Sequence, residues 1–181
     1  MNMKVHKGRV TPLYRLKKLV VGIALLSFGA TIEKVSKKSP ELKAELKDWP
    51  EGLVFALGVL PNGPAITMKH AGGVIRYLGR GYKEDPALKV LFKNVDSAFL
   101  PFTGQMGSHT AFIQHRAILH GSVVDGIKMS RAMGIVQCFL LPGIVLKRIF
   151  KTPPRLAPKQ MILKAEVYAT MGIGMALNAF K

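Results

Sequence analysis

The chain has 181 residues, enough for one domain with a sizeable core and flanking helices. Its 27 Lys and Arg outnumber its 10 Asp and Glu, which gives a formal net charge of +17, yet 49% of the residues are hydrophobic and the mean hydropathy is +0.22. A chain that is both basic and apolar indicates contact with something anionic, either a membrane headgroup layer or a nucleic acid. The single cysteine, Cys138, excludes an internal disulfide and favours a reducing compartment.

The N-terminal segment begins with a basic stretch and continues into an uncharged apolar run, Leu19–Ile32. Its 14 residues are fewer than the about 20 that a helix needs to cross a hydrocarbon core. The run favours a helix in the membrane interface, with its basic flanks on the headgroups. A core helix, a secretory signal and a tilted span over Leu13–Ile32 are the alternatives. The side chains expected to contact the membrane are Arg15, Lys17, Lys18, Leu19, Leu25, Leu26 and Phe28, together with Lys147, Arg148 and Lys151 near the other end.

The next segment predicts a short helix followed by a β-hairpin. Residues 36–47 are polar, with a helix expected to begin at Glu41. Leu53–Leu60 is almost wholly apolar and lies between chain breakers, which is typical of a buried strand. The turn sequence PNGP then returns the chain into a second strand, Ala65–His70. Val74–Leu78 fits either a strand or a helix.

Residues 88–141 alternate extended and helical patterns. Leu88–Lys93 has an apolar period of two, which predicts a strand, and Val95–Gly107 predicts a short apolar helix through Phe99 and Phe102 that is stopped by the glycines at its end. Ala111–Gly121 is expected to be extended. Val124–Leu141 predicts a long helix with one apolar stripe.

This order of elements resembles the sterol-carrier-protein family of small lipid-binding domains, over residues 42–141. The resemblance implies an α+β fold in which helices cover a small mixed or antiparallel sheet and enclose an apolar cavity. The chain departs from the family at both ends, where its own basic and apolar residues predict amphipathic or apolar helices. The chain is therefore divided into an N-terminal membrane-contacting helix (1–40), the lipid-binding domain (41–141), and a basic linker with a C-terminal helix rich in small residues (142–181).

In that family the last helix covers a lipid tunnel, so the resemblance places a ligand between the sheet and the helix Val124–Leu141. Large apolar side chains are expected to line this cavity: Phe92, Phe99, Phe102, Met106, Phe112, Ile118, Met129, Met133 and Val136. Methionine suits an irregular ligand because its side chain is flexible, although plain core packing accounts for these residues equally well.

No set of polar residues predicts catalysis, a metal site or a cofactor. His109, His115 and His120 are six and five residues apart, so neither a helix nor a strand brings all three together. Ser108 precedes His109, but there is no GxSxG motif and no acidic residue placed to orient the histidine. A non-enzymatic protein is therefore expected.

These patterns predict a peripheral protein on the cytoplasmic face of a membrane, which holds a sterol-like or long-chain acyl ligand and exchanges it with the bilayer. A basic scaffold subunit is the alternative, because Ala165, Ala169, Gly172 and Ala176 form a small-residue stripe that another protein's helix could approach. An enzyme that assists lipid modification is a weaker alternative, and RNA binding is a further hypothesis. RNA binding is less favoured because the basic residues flank apolar runs and do not alternate with aromatic ones.

Overall fold

The computed structural model describes residues 11–149 and 157–179, without the side chains of residues 148 and 171–179. Within these residues the chain forms seven helices and five strands. In chain order they are α1 (Pro12–Lys38), α2 (Pro40–Leu46), β1 (Val54–Val59), β2 (Ala65–Ala71), β3 (Val74–Arg80), β4 (Leu88–Phe92), α3 (Val95–Phe102), α4 (Ser108–Ile113), β5 (Ala117–His120), α5 (Val123–Leu140), α6 (Gly143–Ile149) and α7 (Pro158–Ala179).

The five strands form one mixed sheet in the order β3-β2-β1-β4-β5. Neighbouring strands are antiparallel except β1 and β4, which run parallel with Leu57 opposite Val90. In β1 the residues from Phe55 to Val59 are all buried, as expected for a central strand. The predicted hairpin and the predicted α+β fold with a mixed sheet covered by helices are confirmed.

Helix α1 begins and ends where its sequence dictates. The Thr11 hydroxyl accepts a hydrogen bond from the Tyr14 N–H, and Pro12 occupies the first turn. The helix stops before Ser39, since Pro40 disfavours helical backbone in the residue that precedes it. One face of α1 is wholly buried, and its apolar residues recur at helical spacing: Val21, Leu25, Phe28, Ile32 and Val35. The uncharged N-terminal run is therefore a core helix over most of its length.

Side chains of α1 bind the free edge of β3, the outermost strand of the sheet. The hydroxyl of Ser36 accepts a hydrogen bond from the Ile75 N–H at 3.0 Å, and Glu33 Oε2 accepts one from the Tyr77 N–H at 3.1 Å. Gly29 lets the two elements approach closely, because a Cβ there would lie 2.7 Å from the Tyr77 ring. The helix thus satisfies backbone donors that an edge strand otherwise leaves unpaired.

The expected strand over Ala111–Gly121 is wrong for its first half. Residues up to Ile113 form α4, His115 makes a turn with φ of 52°, and only Ala117–His120 is a strand. The physical reason is the length of its partner: β4 has five residues and pairs with β5 from Phe92 to Lys89, so a longer strand would have nothing to pair with.

Helix α5 is capped by Ser122, whose hydroxyl accepts from the Asp125 N–H. Its buried face includes Phe139 as well as the methionines predicted in this region. At its C-terminal end, Lys164 of α7 donates hydrogen bonds to the carbonyls of Cys138 and Leu141, at 2.8 Å and 2.6 Å. A cation at this position also interacts favourably with the helix dipole of α5.

Candidate functional site

The larger of two described cavities lies between α1 and the sheet and has a volume of about 810 Å³. Its walls come from the first half of α1, the turn between β1 and β2, and the last residues of β3 with those that follow. The lining residues that are apolar or glycine include Leu19, Gly22, Ile23, Leu25, Leu26, Val59, Pro61, Pro64, Ala65 and Ile66. The volume lies within the about 300–1,000 Å³ range that is typical of ligand pockets.

Cationic side chains join this apolar lining. Arg15 and Lys18 project from α1, and Arg80 comes from the end of β3. Lys18 Nζ donates a hydrogen bond to the Asn62 carbonyl at 2.9 Å, which ties α1 to the β1–β2 turn. Tyr82 completes the wall, and partial burial raises the pKa of its hydroxyl, which stays neutral at physiological pH.

A glycine in β1 makes room for this tyrosine. A Cβ at Gly58 would lie 2.2 Å from the Tyr82 hydroxyl oxygen and 3.3 Å from the Ala65 Cβ. The absence of a side chain at Gly58 therefore lets the tyrosine lie across the strands at the edge of the cavity.

A smaller cavity of about 290 Å³ lies on another side of α1, against the ends of α3 and α5. Ile23 of α1 lines both cavities. Gln137 also lines the smaller one, donating through Nε2 to the Pro101 carbonyl at 3.5 Å, while its Oε1 is buried without a hydrogen-bond partner among the described residues. The remaining lining is almost entirely apolar: Val20, Ala24, Ser27, Phe28, Phe102, Leu140 and Leu141.

The structure places the larger cavity elsewhere than the sequence prediction does. Four of the nine predicted lining residues are buried in the core with 1% exposure or less: Phe92, Met129, Met133 and Val136. Four others are partly buried without lining either cavity: Phe99, Met106, Phe112 and Ile118. Phe102 lines the smaller cavity and makes edge-to-face contacts with Phe28 and Phe92. The side chains expected to surround a ligand beneath α5 are therefore mostly part of the hydrophobic core or packed against it.

The residues expected at a membrane surface divide into two groups along α1. Leu25 and Phe28 are fully buried, which corrects their expected location, and Leu26 is half-buried. Leu19 is 61% exposed and Arg15 is exposed, whereas Lys17 pairs with Asp96 at 2.6 Å. Of the C-terminal set, Lys147 is exposed, while Lys151 and the side chain of Arg148 lie outside the described residues.

Among the described helices, α1 alone is long and apolar enough to cross a membrane, with a mean hydropathy of 1.6 over 18 residues. Within that window 44% of the residues are buried inside the protein. Burial of an apolar side chain contributes about 1.5–3 kcal/mol, so withdrawing the five large ones of α1 would cost about 7–15 kcal/mol. That is comparable with the total stability of an ordinary domain, so the folded state shown here requires α1 to remain docked.

The polar residues considered for catalysis are partly brought together. Ser130 Oγ lies 3.1 Å from His109 Nδ1, a serine–histidine pair that joins α5 to α4. Neither residue lines either cavity, and no carboxylate among the described residues hydrogen-bonds to the histidine. The described residues contain no group of three or more His, Cys, Asp or Glu suited to a metal ion. The one cysteine is buried, and that burial raises the pKa of the Cys138 thiol.

The site is therefore a cavity for an apolar or amphipathic molecule, in an α+β domain whose N-terminal helix forms part of the walls. No family model matches the chain, and no curated protein matches it in sequence.

Three solved structures that are similar to the chain carry descriptions that name a sterol carrier protein or the SCP2 domain. One is sterol carrier protein 2, at 15% identity and a TM-score of 0.47, which covers 65% of this chain and 93% of that one. Another is a ubiquinone synthesis protein, UbiJ-SCP2, at 16% identity and a TM-score of 0.45, which covers 67% and 98%. A third is a conserved protein of Thermus thermophilus, described as possibly a sterol carrier protein, at 14% identity and a TM-score of 0.44, which covers 61% and 86%. These descriptions name the family that the sequence resembles, and the likeness concerns the fold alone.

Several wall residues were missed by the sequence reasoning, namely Gly22, Ile23, Arg80, Tyr82 and the β1–β2 turn. The signal for the α1 residues is the mixture of basic and apolar side chains between Arg15 and Leu26, a pattern that also predicts a membrane contact. Because Arg80 and Tyr82 are far from α1 in the chain, only the fold brings them to the same cavity.

Proposed function

We propose that this chain is a lipid-binding protein that holds a sterol-like or long-chain acyl ligand in the larger cavity and exchanges it with a membrane. The observation that carries the proposal is the cavity of about 810 Å³ with mainly apolar walls and cations among its lining residues. Each methylene group that enters such a cavity contributes about 0.8 kcal/mol, so a chain with about ten buried methylenes gains about 8 kcal/mol before the costs of association.

The proposed membrane contact is the exposed N-terminal part of α1. Leu13, Leu16, Leu19 and Ile23 are 60%, 57%, 61% and 40% exposed, and their spacing places them along one stripe of the helix. Arg15 lies within the same turns and is suited to anionic headgroups. Because Leu19 and Ile23 also line the cavity, a bilayer bound to this stripe would lie next to the ligand site.

Ligand content is tested by extracting lipids from the purified protein and by native mass spectrometry, with a variant that obstructs the cavity. Gly22 lines the cavity on a helical segment, so Gly22→Trp directs a large ring into it. Ala30 is an exposed position on the same helix, and Ala30→Trp is the matched control. We expect bound lipid in the unmodified chain and in Ala30→Trp, with a clear loss in Gly22→Trp at unchanged melting temperature. Equal lipid content in all three proteins would contradict the cavity as the site.

Membrane contact is tested by flotation with liposomes that contain or lack anionic lipid, at low and high salt. Replacement of Leu13, Leu16 and Leu19 by Gln should abolish flotation. The same replacement of exposed apolar residues on other helices, Ile113 and Val124, should leave it intact. If both sets behave alike, the α1 stripe is not the docking surface.

A scaffold subunit is the second candidate, and the exposed surface of α7 favours it. Leu163 and Val167 are buried, whereas Met161 and Ile162 are exposed by 62% and 63%. Such a face could contact a protein partner. A purified chain that is consistently free of lipid, but co-assembles through α7, would support this candidate over lipid transfer.

A further inference from the structure

We propose that the larger cavity selects acidic amphiphiles, molecules with an apolar chain and a carboxylate or phosphate head, over neutral lipids of the same length. The inference rests on the proposed lipid-binding function and adds the class of headgroup. The selecting residues are Arg15, Lys18 and Arg80, which line the cavity together with its apolar walls.

None of these three cations has an acidic partner among the described residues. The ten side-chain carboxylates all fall within those residues, and none lines the cavity. Most of them pair with other cations, as Asp96 does with Lys17 and Glu84 with Lys69. The positive charge of the site is therefore left without internal compensation.

The two elements that supply the cations approach the cavity from different directions. Arg15 and Lys18 are one helical turn apart on α1, while Arg80 ends β3 and is followed by Gly81 and Tyr82 in the wall. A guanidinium can donate two parallel hydrogen bonds to a carboxylate or phosphate. Lys18 Nζ donates to the Asn62 carbonyl, and an ammonium group has three donors, so it retains capacity for an anion.

A ligand with an anionic head binds to this arrangement of cations more strongly than a ligand with a hydroxyl head does. Arg15 and Arg80 are exposed and Lys18 is half-buried, so these like charges lie at solvent-accessible parts of the apolar cavity lining, where water screens their mutual repulsion only in part. A carboxylate or phosphate relieves it, while its apolar chain fills the remaining cavity. A neutral alcohol has the same apolar chain but does not reduce the repulsion between the cations.

The test compares ligands that share one chain and differ in the head, below their aggregation concentrations. Oleate, oleyl alcohol and oleoyl lysophosphatidate are titrated by calorimetry, with inorganic phosphate as a head without a chain. We expect oleate and the lysophosphatidate to bind roughly tenfold or more tightly than the alcohol, as one or two charge-assisted hydrogen bonds imply. Phosphate alone should not bind measurably, and raising the salt concentration should weaken only the acidic ligands.

Charge-matched variants separate local selection from general attraction to a basic protein. The variant R15Q/K18Q/R80Q removes three cations of the cavity. The control K43Q/K47Q/K93Q removes three exposed cations elsewhere, so both lower the net charge from +17 to +14 (17 − 3). The first should lose the preference for oleate while still binding oleyl alcohol, and the control should keep it.

The outcomes distinguish this inference from the proposed function. Equal affinity for oleate and oleyl alcohol, unaffected by R15Q/K18Q/R80Q, overturns headgroup selection but leaves lipid binding in place. An equal loss of preference in both triple variants also overturns it, because the effect would then come from net charge. Absence of binding by every chain-bearing ligand overturns the proposed function itself.

Discussion

Two glycines of α1, Gly22 and Gly29, test whether this helix is docked on the sheet. Replacing a glycine by alanine within a helix gains about 1 kcal/mol of intrinsic helix stability. At Gly22 the new Cβ would meet the Pro64 Cβ at 3.8 Å, an ordinary contact, so the gain should be retained. At Gly29 the new Cβ would lie 2.7 Å from two carbons of the Tyr77 ring. Overpacking of this kind costs about 1–3 kcal/mol, which leaves a net loss of up to about 2 kcal/mol.

The assay is thermal denaturation of the two variants and the unmodified chain without detergent, followed by far-UV circular dichroism. Gly22→Ala should raise the melting temperature by about 2–4 °C, as expected for 1 kcal/mol in a chain of this size, and Gly29→Ala should lower it. If both substitutions stabilise the protein equally, no ring packs against Gly29, and the contact between α1 and β3 is refuted.

Three further substitutions probe contacts that hold the helices in place. Ser36→Ala removes the acceptor of the buried Ile75 N–H, and should lower the free energy of unfolding by about 1–3 kcal/mol in urea denaturation. Burial raises the pKa of Glu33, but hydrogen bonds from Lys37 and from the Tyr77 N–H outweigh this and hold the pKa below the usual value of a glutamate. Its stabilising contribution is thus complete above the unfolded-state pKa and is lost as the pH falls through the folded-state one, so Glu33→Gln should flatten the acid side of a plot of melting temperature against pH. Lys164→Met leaves the carbonyl of Cys138, in the last turn of α5, and that of Leu141, just after the helix, without their donor, and faster hydrogen exchange in the final turn of α5 should result.

Local patterns in the sequence are sufficient to predict the β1–β2 hairpin and helix α5. Leu53–Leu60 is almost wholly apolar and is followed by a turn sequence, and both features act within a few residues of the strand they define. The same holds for α5, where the apolar stripe has helical spacing and a serine lies at the N-cap.

The position of α1 could not be obtained in this way. Leu19–Ile32 has the composition of an interfacial helix and of a core helix alike, and its partner strand β3 is distant in sequence, as the bond from Ile75 to Ser36 shows with a separation of 39 residues. Whether an apolar helix faces lipid or protein depends on what lies opposite, and that information is not local.

The residues that line the cavity cannot be predicted from local sequence patterns either. Met133 and Val136 of α5 have the same apolar character as Ile23 and Leu26 of α1, yet the first two pack in the core and the second two line the larger cavity. A void arises where three distant elements fail to fill the space between them, so it depends on their mutual placement and not on residue type.

The bonds from β3 to Ser36 and Glu33 have a consequence for biosynthesis. The strand that covers α1 is 39 to 44 residues downstream, so at about 5–20 residues per second the ribosome delivers it about 2 to 9 seconds later. During that interval the nascent helix exposes an apolar surface that is flanked by basic residues. These are the same features by which cells sort proteins to bilayers. Because α1 is translated before β3, the sheet competes with any other binding partner for that surface of the helix.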